Sequence, residues 1–194
     1  FEMKSIRLVL WGLVGLVAAW AAFLALDKVS PDASTKLGAP FSLQTADGKP
    51  ITDKDFLGRP HLIFFGFTHC PEVCPTTLYE TTGWMDALGD DADKLDAYFI
   101  TIDPERDTPE ILANYMSPFK DKVVGITGTA EEIDKAAKGF HVYYKKVPLE
   151  DGDYTMDHTA SIFLMKPDGS FMGTIAWQEN PDIALEKIKR LLKS

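Results

Sequence analysis

A chain of 194 residues, 45% hydrophobic and 25% charged, has the makeup of an ordinary globular protein, with room for one well-cored domain rather than two. Its net charge of −9, with no basic stripe, argues against nucleic acid as a partner and suits a cation, a basic protein patch or simply solubility. Two cysteines are too few for a disulfide scaffold, so folding must rest on apolar burial.

The N-terminal stretch is expected to anchor the domain. Residues 8–26, LVLWGLVGLVAAWAAFLAL, carry no charge, and a bilayer core needs about 20 apolar residues in a helix. Lys4 and Arg7 precede this run and Asp27 and Asp32 follow it, which places residues 1–7 in the cytoplasm and the domain outside. A cleaved signal would have a shorter apolar region ending in a small-x-small site, and Ala19-Trp20-Ala21 lies inside the run. Phe1 and Glu2, ahead of Met3, are expected to be a cloning remnant. With no Arg- and Ser-rich transit peptide, the expected location is a bacterial inner membrane, single-pass, with the domain facing the periplasm. Residues 27–36 then read as a polar tether and 37–194 as the exported domain.

In chain order, FSLQT and IT flank Asp47-Gly48 as a hairpin. HLIFFGFT (61–68) is an unbroken apolar strand of the kind buried on both faces, and a helix is expected across about 76–88. LDAYFITID (95–103) is a second buried strand, leading through DPERDTPE to a helix with Pro109 at its first turn and Asp107 or Thr108 as cap. VVGIT (123–127) is a third strand, and Thr129 opens another helix. HVYYKKV (141–147) is an extended piece, PLEDGDYTMD a polar loop, and HTASIFLMK a late strand that turns at Pro167-Asp168-Gly169-Ser170 into FMGTIAW. Pro181 starts a closing amphipathic helix. The expected fold is α/β and thioredoxin-like: a mixed sheet flanked by helices, with an N-terminal hairpin and sites at the carboxyl ends of the strands.

The chemistry concentrates in GFTHCPEVCP (66–75), which holds both cysteines. Pro75 disfavours helical backbone at Cys74, so the helix is expected to start at Pro75, with both sulfurs near its positive end and stabilised as thiolates. A staple closing so small a loop contributes little, which leaves a redox couple or a metal pair. Histidine decides between them. His61 is expected to satisfy local backbone, His141 to pack among FHVYY, and His69 to diverge from its neighbour Cys70. His158, in MDHTAS, enters the late strand beside the cysteine-bearing one and is placed to face the sulfurs. Two thiolates with one imidazole suit copper, as Cu(I) or Cu(II), better than structural zinc, which wants a fourth protein ligand that Asp157 is not oriented to give. Asp103, Arg106 and Asp107 read as a loop clasp with a helix cap, the alternative being that Arg106 stabilises the thiolates. The methionines read as core filler, Met156 being the one worth testing as a ligand.

GFTHCPEVCP, DPERDTPE and DYTMDHTASIFLM, in that order over residues 37–193, resemble the signatures of the Sco/SenC family of membrane-anchored, thioredoxin-like copper proteins that assist cytochrome c oxidase assembly. The resemblance implies that Cys70, Cys74 and His158 bind copper. It also implies that an oxidase subunit accepts the metal for its dinuclear copper centre, making the protein a metallochaperone rather than an enzyme. Another copper chaperone or a thioredoxin-like reductant would be further partners, and one anchored domain is expected to work as a monomer. A thiol–disulfide oxidoreductase acting on the oxidase subunit's cysteines, or a redox or copper sensor, is the alternative.

Overall fold

The computed structural model describes residues 11–17, 20, 37–150 and 152–194. Residues 11–17 and Trp20 are helical, and among the described residues no helix is long and apolar enough to cross a membrane. Most of the anchor expected over 8–26, and all of the tether expected over 27–36, lie outside the described residues.

The domain opens with β1 (Ser42–Thr45) and β2 (Pro50–Thr52), paired antiparallel. Their turn closes through Gly48, whose φ of 82° is open to glycine at no steric cost. Then come β3 (His61–Gly66), α1 (Val73–Leu88), β4 (Asp96–Thr101), α2 (Pro109–Met116), β5 (Val124–Thr127) and α3 (Ala130–Gly139). They are followed by β6 (Tyr144–Pro148), β7 (Tyr154–His158), β8 (Ser161–Met165), β9 (Phe171–Ala176) and α4 (Pro181–Leu191). Seven strands form one mixed sheet in the order β2-β1-β5-β4-β3-β8-β9. The three central strands β3, β4 and β5 run parallel, and β8 pairs antiparallel with β3.

All six residues of β3 are buried, because both faces of the strand are covered. Phe64 turns to one face, towards Phe99, which in turn packs on Tyr115 of α2. Phe65 turns to the other, against Phe140 at the end of α3 and Phe163 of β8. Helices therefore flank both faces, as expected of a thioredoxin-like fold. The helix starts follow local chemistry: Thr108, Thr129 and Asn180 each accept an N-terminal N–H through a side-chain oxygen.

Three local expectations change. The helix after the cysteines begins at Val73, two residues before Pro75, with Glu72 as its cap. Proline is tolerated there because its missing N–H is one that no intrahelical carbonyl would have met. His141 is exposed rather than packed, and sits in the left-handed region at φ 54°. It ends α3 in a Schellman turn, with Val142 N–H donating to the Ala137 carbonyl and His141 N–H to that of Lys138. The third change moves the candidate histidine. HTASIFLMK is not one strand, and the end of the supposed loop PLEDGDYTMD joins His158 in β7 (Tyr154–His158), which pairs with β6 in a separate two-stranded ribbon.

Candidate metal centre

Three segments meet at the carboxyl ends of β3 and β4. The first is the turn after β3, where Cys70 N–H donates to the Phe67 carbonyl and reverses the chain towards α1. Cys70 Sγ accepts the backbone N–H of Cys74 at 3.3 Å, so this sulfur takes one of the donors left open at the start of α1. Cys74 is wholly buried and Cys70 is 8% exposed. Both are free thiols.

The second segment is the end of β7. His158 Nδ1 lies 3.1 Å from the Thr159 carbonyl oxygen, which can only accept, so Nδ1 carries the proton and Nε2 is the free donor atom. Nε2 lies 3.8 Å from Cys74 Sγ. The rings of Phe67 and Phe64 meet the imidazole edge-on, with centroids 5.7 and 6.2 Å away, and wall it on the domain side. One donor atom from each of Cys70, Cys74 and His158 lies within 4.8 Å of the other two.

The third segment follows β4 and makes no contribution to that triad. Asp107 accepts the Thr68 N–H (3.0 Å), the Thr68 hydroxyl (2.6 Å) and the Thr101 hydroxyl (2.5 Å), which pins the turn ahead of Cys70. Asp103 accepts from Arg106 Nε (2.5 Å) and the Tyr154 hydroxyl (2.8 Å), and Arg106 Nη1 donates to the Tyr154 carbonyl (2.8 Å). The clasp read from sequence is therefore present, and Thr108 rather than Asp107 caps α2.

The two sulfurs are not equivalent. A hydrogen bond from the Cys74 thiol, with smaller help from backbone N–H groups, lowers the Cys70 pKa to about 4 against the cost of burial. Cys74 moves the opposite way, because it holds that shared proton and because burial and the Asp107 charge disfavour a second anion. The expectation that the helix end would stabilise both thiolates holds only for Cys70. Without a cation, the pair keeps one proton between them.

A first-row ion sits about 2.0–2.3 Å from sulfur and nitrogen donors, so three trigonal donors stand about 3.7 Å apart. The 3.8 Å between Cys74 Sγ and His158 Nε2 fits that spacing, and the donors, all within 4.8 Å of one another, must draw in by up to about 1 Å to close on an ion. Two soft thiolates and one imidazole are donors for a soft or borderline ion. Asp157 is exposed and lies opposite Lys145 across the ribbon, so it does not complete a tetrahedron. His69 turns away to Thr68 Oγ1 (3.0 Å), and His61 donates to the Arg59 carbonyl (3.0 Å) at the other end of β3. Met156 is buried within the core cluster.

One functional position escaped the sequence reading. At Gly66 the Cys74 sulfur packs against the Cα, and a Cβ there would lie 2.8 Å from Cys74 Sγ and 2.7 Å from Phe99 Cε2. A glycine inside an otherwise apolar strand is the available signal of such a close approach.

Fold and site together define a thioredoxin-like protein whose dithiol faces an imidazole. The SCO1/SenC family model matches residues 29–193, and the chain belongs to that family. The human mitochondrial SCO1 homologue is 50% identical over 139 residues, covering 70% of this chain and 46% of the human one. This chain spans about half the length of the curated relatives it matches. Bradyrhizobium japonicum ScoI, solved with copper bound, superposes with a TM-score of 0.74 at 50% identity, over 80% of this chain and 99% of that one. BsSco, described as carrying a disulfide switch and as a member of the Sco family of cytochrome c oxidase assembly proteins, gives a TM-score of 0.65 at 26% identity. That match covers 81% of this chain and 94% of BsSco.

Proposed function

We propose that this protein is a copper metallochaperone, held at a bacterial inner membrane with its domain in the periplasm. It binds copper through Cys70, Cys74 and His158 and passes it to a cytochrome c oxidase subunit during assembly of the dinuclear copper centre. The observation that carries the reading is the convergence of three soft or borderline donors from two distant segments within 4.8 Å. The copper bound to the 50%-identical ScoI supports it. Charge supports the membrane placement: a basic N-terminus precedes the apolar run and acidic residues follow it.

Copper is cargo here, so the residues must both hold and release it. Binding displaces the proton shared by the sulfurs, and metal uptake therefore liberates acid. The second positive charge of Cu(II), or the single charge of Cu(I), replaces the proton that keeps Cys74 neutral. The Thr159 carbonyl holds the imidazole in the tautomer that presents Nε2. Cys70 is the most peripheral sulfur and accepts the Cys74 N–H, so it is the ligand a partner's thiolate displaces first. A three-donor site leaves a position open for that incoming ligand.

Anaerobic titration of the reduced full chain with Cu(I) against a chromophoric chelator tests the reading. Wild type binds one ion, and His158→Ala loses affinity by at least about tenfold while keeping its circular dichroism spectrum. Unchanged affinity in that variant removes the imidazole from the site and with it the copper assignment.

The inequality of the sulfurs favours a second reading, thiol–disulfide exchange with the same subunit. A Cys70 thiolate with a pKa near 4 would attack the partner's disulfide, and Cys74 would resolve the mixed disulfide, leaving a Cys70–Cys74 bond and two partner thiols. Turnover that needs both cysteines and is indifferent to His158 identifies this activity.

A further inference from the structure

The histidine arm of the site is not part of the main sheet. β7 belongs to the two-stranded ribbon β6–β7, and a two-stranded ribbon is marginal by itself in water. Strand alternation puts Tyr154, Met156 and His158 on one face of β7. Met156 is buried in the core, His158 reaches the sulfurs, and Tyr154 is gripped by the segment after β4. The grip is three-point: the Tyr154 hydroxyl donates to Asp103, its carbonyl accepts from Arg106 Nη1, and the Arg106 guanidinium lies over its ring, 3.7 Å from the centroid. Asp103 in turn accepts from Arg106 Nε, which closes the loop of contacts. Arg106 Nη2 is buried with no hydrogen-bond partner among the described residues, so the guanidinium is placed for this grip at the expense of its own full solvation. The same short segment holds the cysteine arm, through Asp107 and Thr68.

We propose that Asp103, Arg106 and Tyr154 are positioning residues for the metal site: they lock the β6–β7 ribbon so that His158 stays within reach of Cys74. None of them donates to the triad. Tyr154 is four residues from His158, about 13 Å along an extended strand, and acts through β7. Asp103 and Asp107 belong to one loop after β4 and bond the two arms, Asp103 to Tyr154 and Asp107 to Thr68, so that loop acts beside the packing of Phe64 and Phe67 on the imidazole in setting the distance between sulfur and imidazole. This inference rests on the copper reading above.

The test uses the full chain and three variants: Tyr154→Phe, Arg106→Leu and Tyr144→Phe. Tyr154→Phe keeps the ring beneath Arg106 and removes only the hydroxyl held by Asp103. Tyr144→Phe is the control, since it removes a comparable hydroxyl bond from the same ribbon, the one to Asp134 on α3. In the metal-free protein, amide hydrogen exchange at residues 154–158 should accelerate about tenfold in Tyr154→Phe and more in Arg106→Leu. Cu(I) affinity measured by chelator competition should fall about threefold to tenfold in Tyr154→Phe. The thiolate-to-Cu(II) charge-transfer band should move in that variant and stay in place in the control. Wild-type affinity and band position in Tyr154→Phe overturn the proposal, as does an equal loss in Tyr144→Phe, which would reduce the clasp to general ribbon stability. Should Arg106→Leu fail to fold, Tyr154→Phe decides alone. His158→Ala run alongside separates the two ideas: unchanged affinity there defeats the copper reading itself, whereas a loss there with none in Tyr154→Phe defeats only the clasp.

Discussion

Replacing Gly66 by alanine should damage stability and metal binding together, because one added methyl meets both the core and the site. The new Cβ would lie 2.7 Å from Phe99 Cε2 and 2.8 Å from Cys74 Sγ. Ordinary contact begins near 3.4 Å, so the ring and the sulfur must each retreat by about 0.6 Å or the strand must bow. Neither has room, since Phe99 and Cys74 are both fully buried. Overpacking of this kind costs about 1–3 kcal/mol. For a domain of this size each kcal/mol moves the melting temperature by about 2–4 °C, giving a drop of about 2–12 °C. Metal donors must stand within about 0.2 Å of their required positions, so a half-ångström shift of one sulfur should also weaken copper binding by tenfold or more. Thermal unfolding followed by circular dichroism and Cu(I) competition read the two effects. Gly83→Ala supplies the contrast: its Cβ meets nothing within 4 Å in the middle of α1, and helix propensity alone should stabilise the protein by about 0.5–1 kcal/mol. If Gly66→Ala melts with wild type and binds copper equally well, the close approach of Cys74 to β3 is not the constraint described here.

Three other outcomes follow from local physics. His61 is buried against Phe56 and Tyr98, and burial holds its imidazole below the usual value of 6.5. The unfolded chain therefore takes up a proton that the folded chain resists, so stability present above pH 6.5 is lost as pH falls below it. His61→Phe should show a shallower decline between pH 7.5 and 5.5 in denaturant titrations, and an identical slope would refute the assignment. His141→Gly should stabilise by about 0.5–1 kcal/mol, because glycine meets the left-handed φ of 54° without a Cβ clash; a lower urea midpoint would contradict this. Thr129→Ala removes the oxygen that accepts the Glu132 N–H at the start of α3, and should cost about 0.5–2 kcal/mol by the same measurement.

The strands of the parallel core and the caps at Thr108 and Thr129 were legible in the sequence because each is specified within a few residues. HLIFFG can only be a strand covered on both faces, and Thr129 ahead of a 3.6-residue apolar rhythm can only be a helix start. The histidine that meets the two sulfurs was legible too, through the MDHTAS segment and its resemblance to a known signature. β7 was not legible, because Tyr-Thr-Met-Asp-His has the polarity of a loop and becomes a strand only when β6 lies beside it. The inequality of the two thiols also depends on packing. Four positions apart and alike in chemistry, they part only because Cys74 is driven into the core against Gly66 while Cys70 stays at the rim. Local propensity acts over a turn or two of chain, so the sequence alone determined which groups could bind a soft ion. Bringing His158 across 84 residues to Cys74, and fixing both arms to one loop of β4, required the sheet order and the buried carboxylates that only the folded chain assembles.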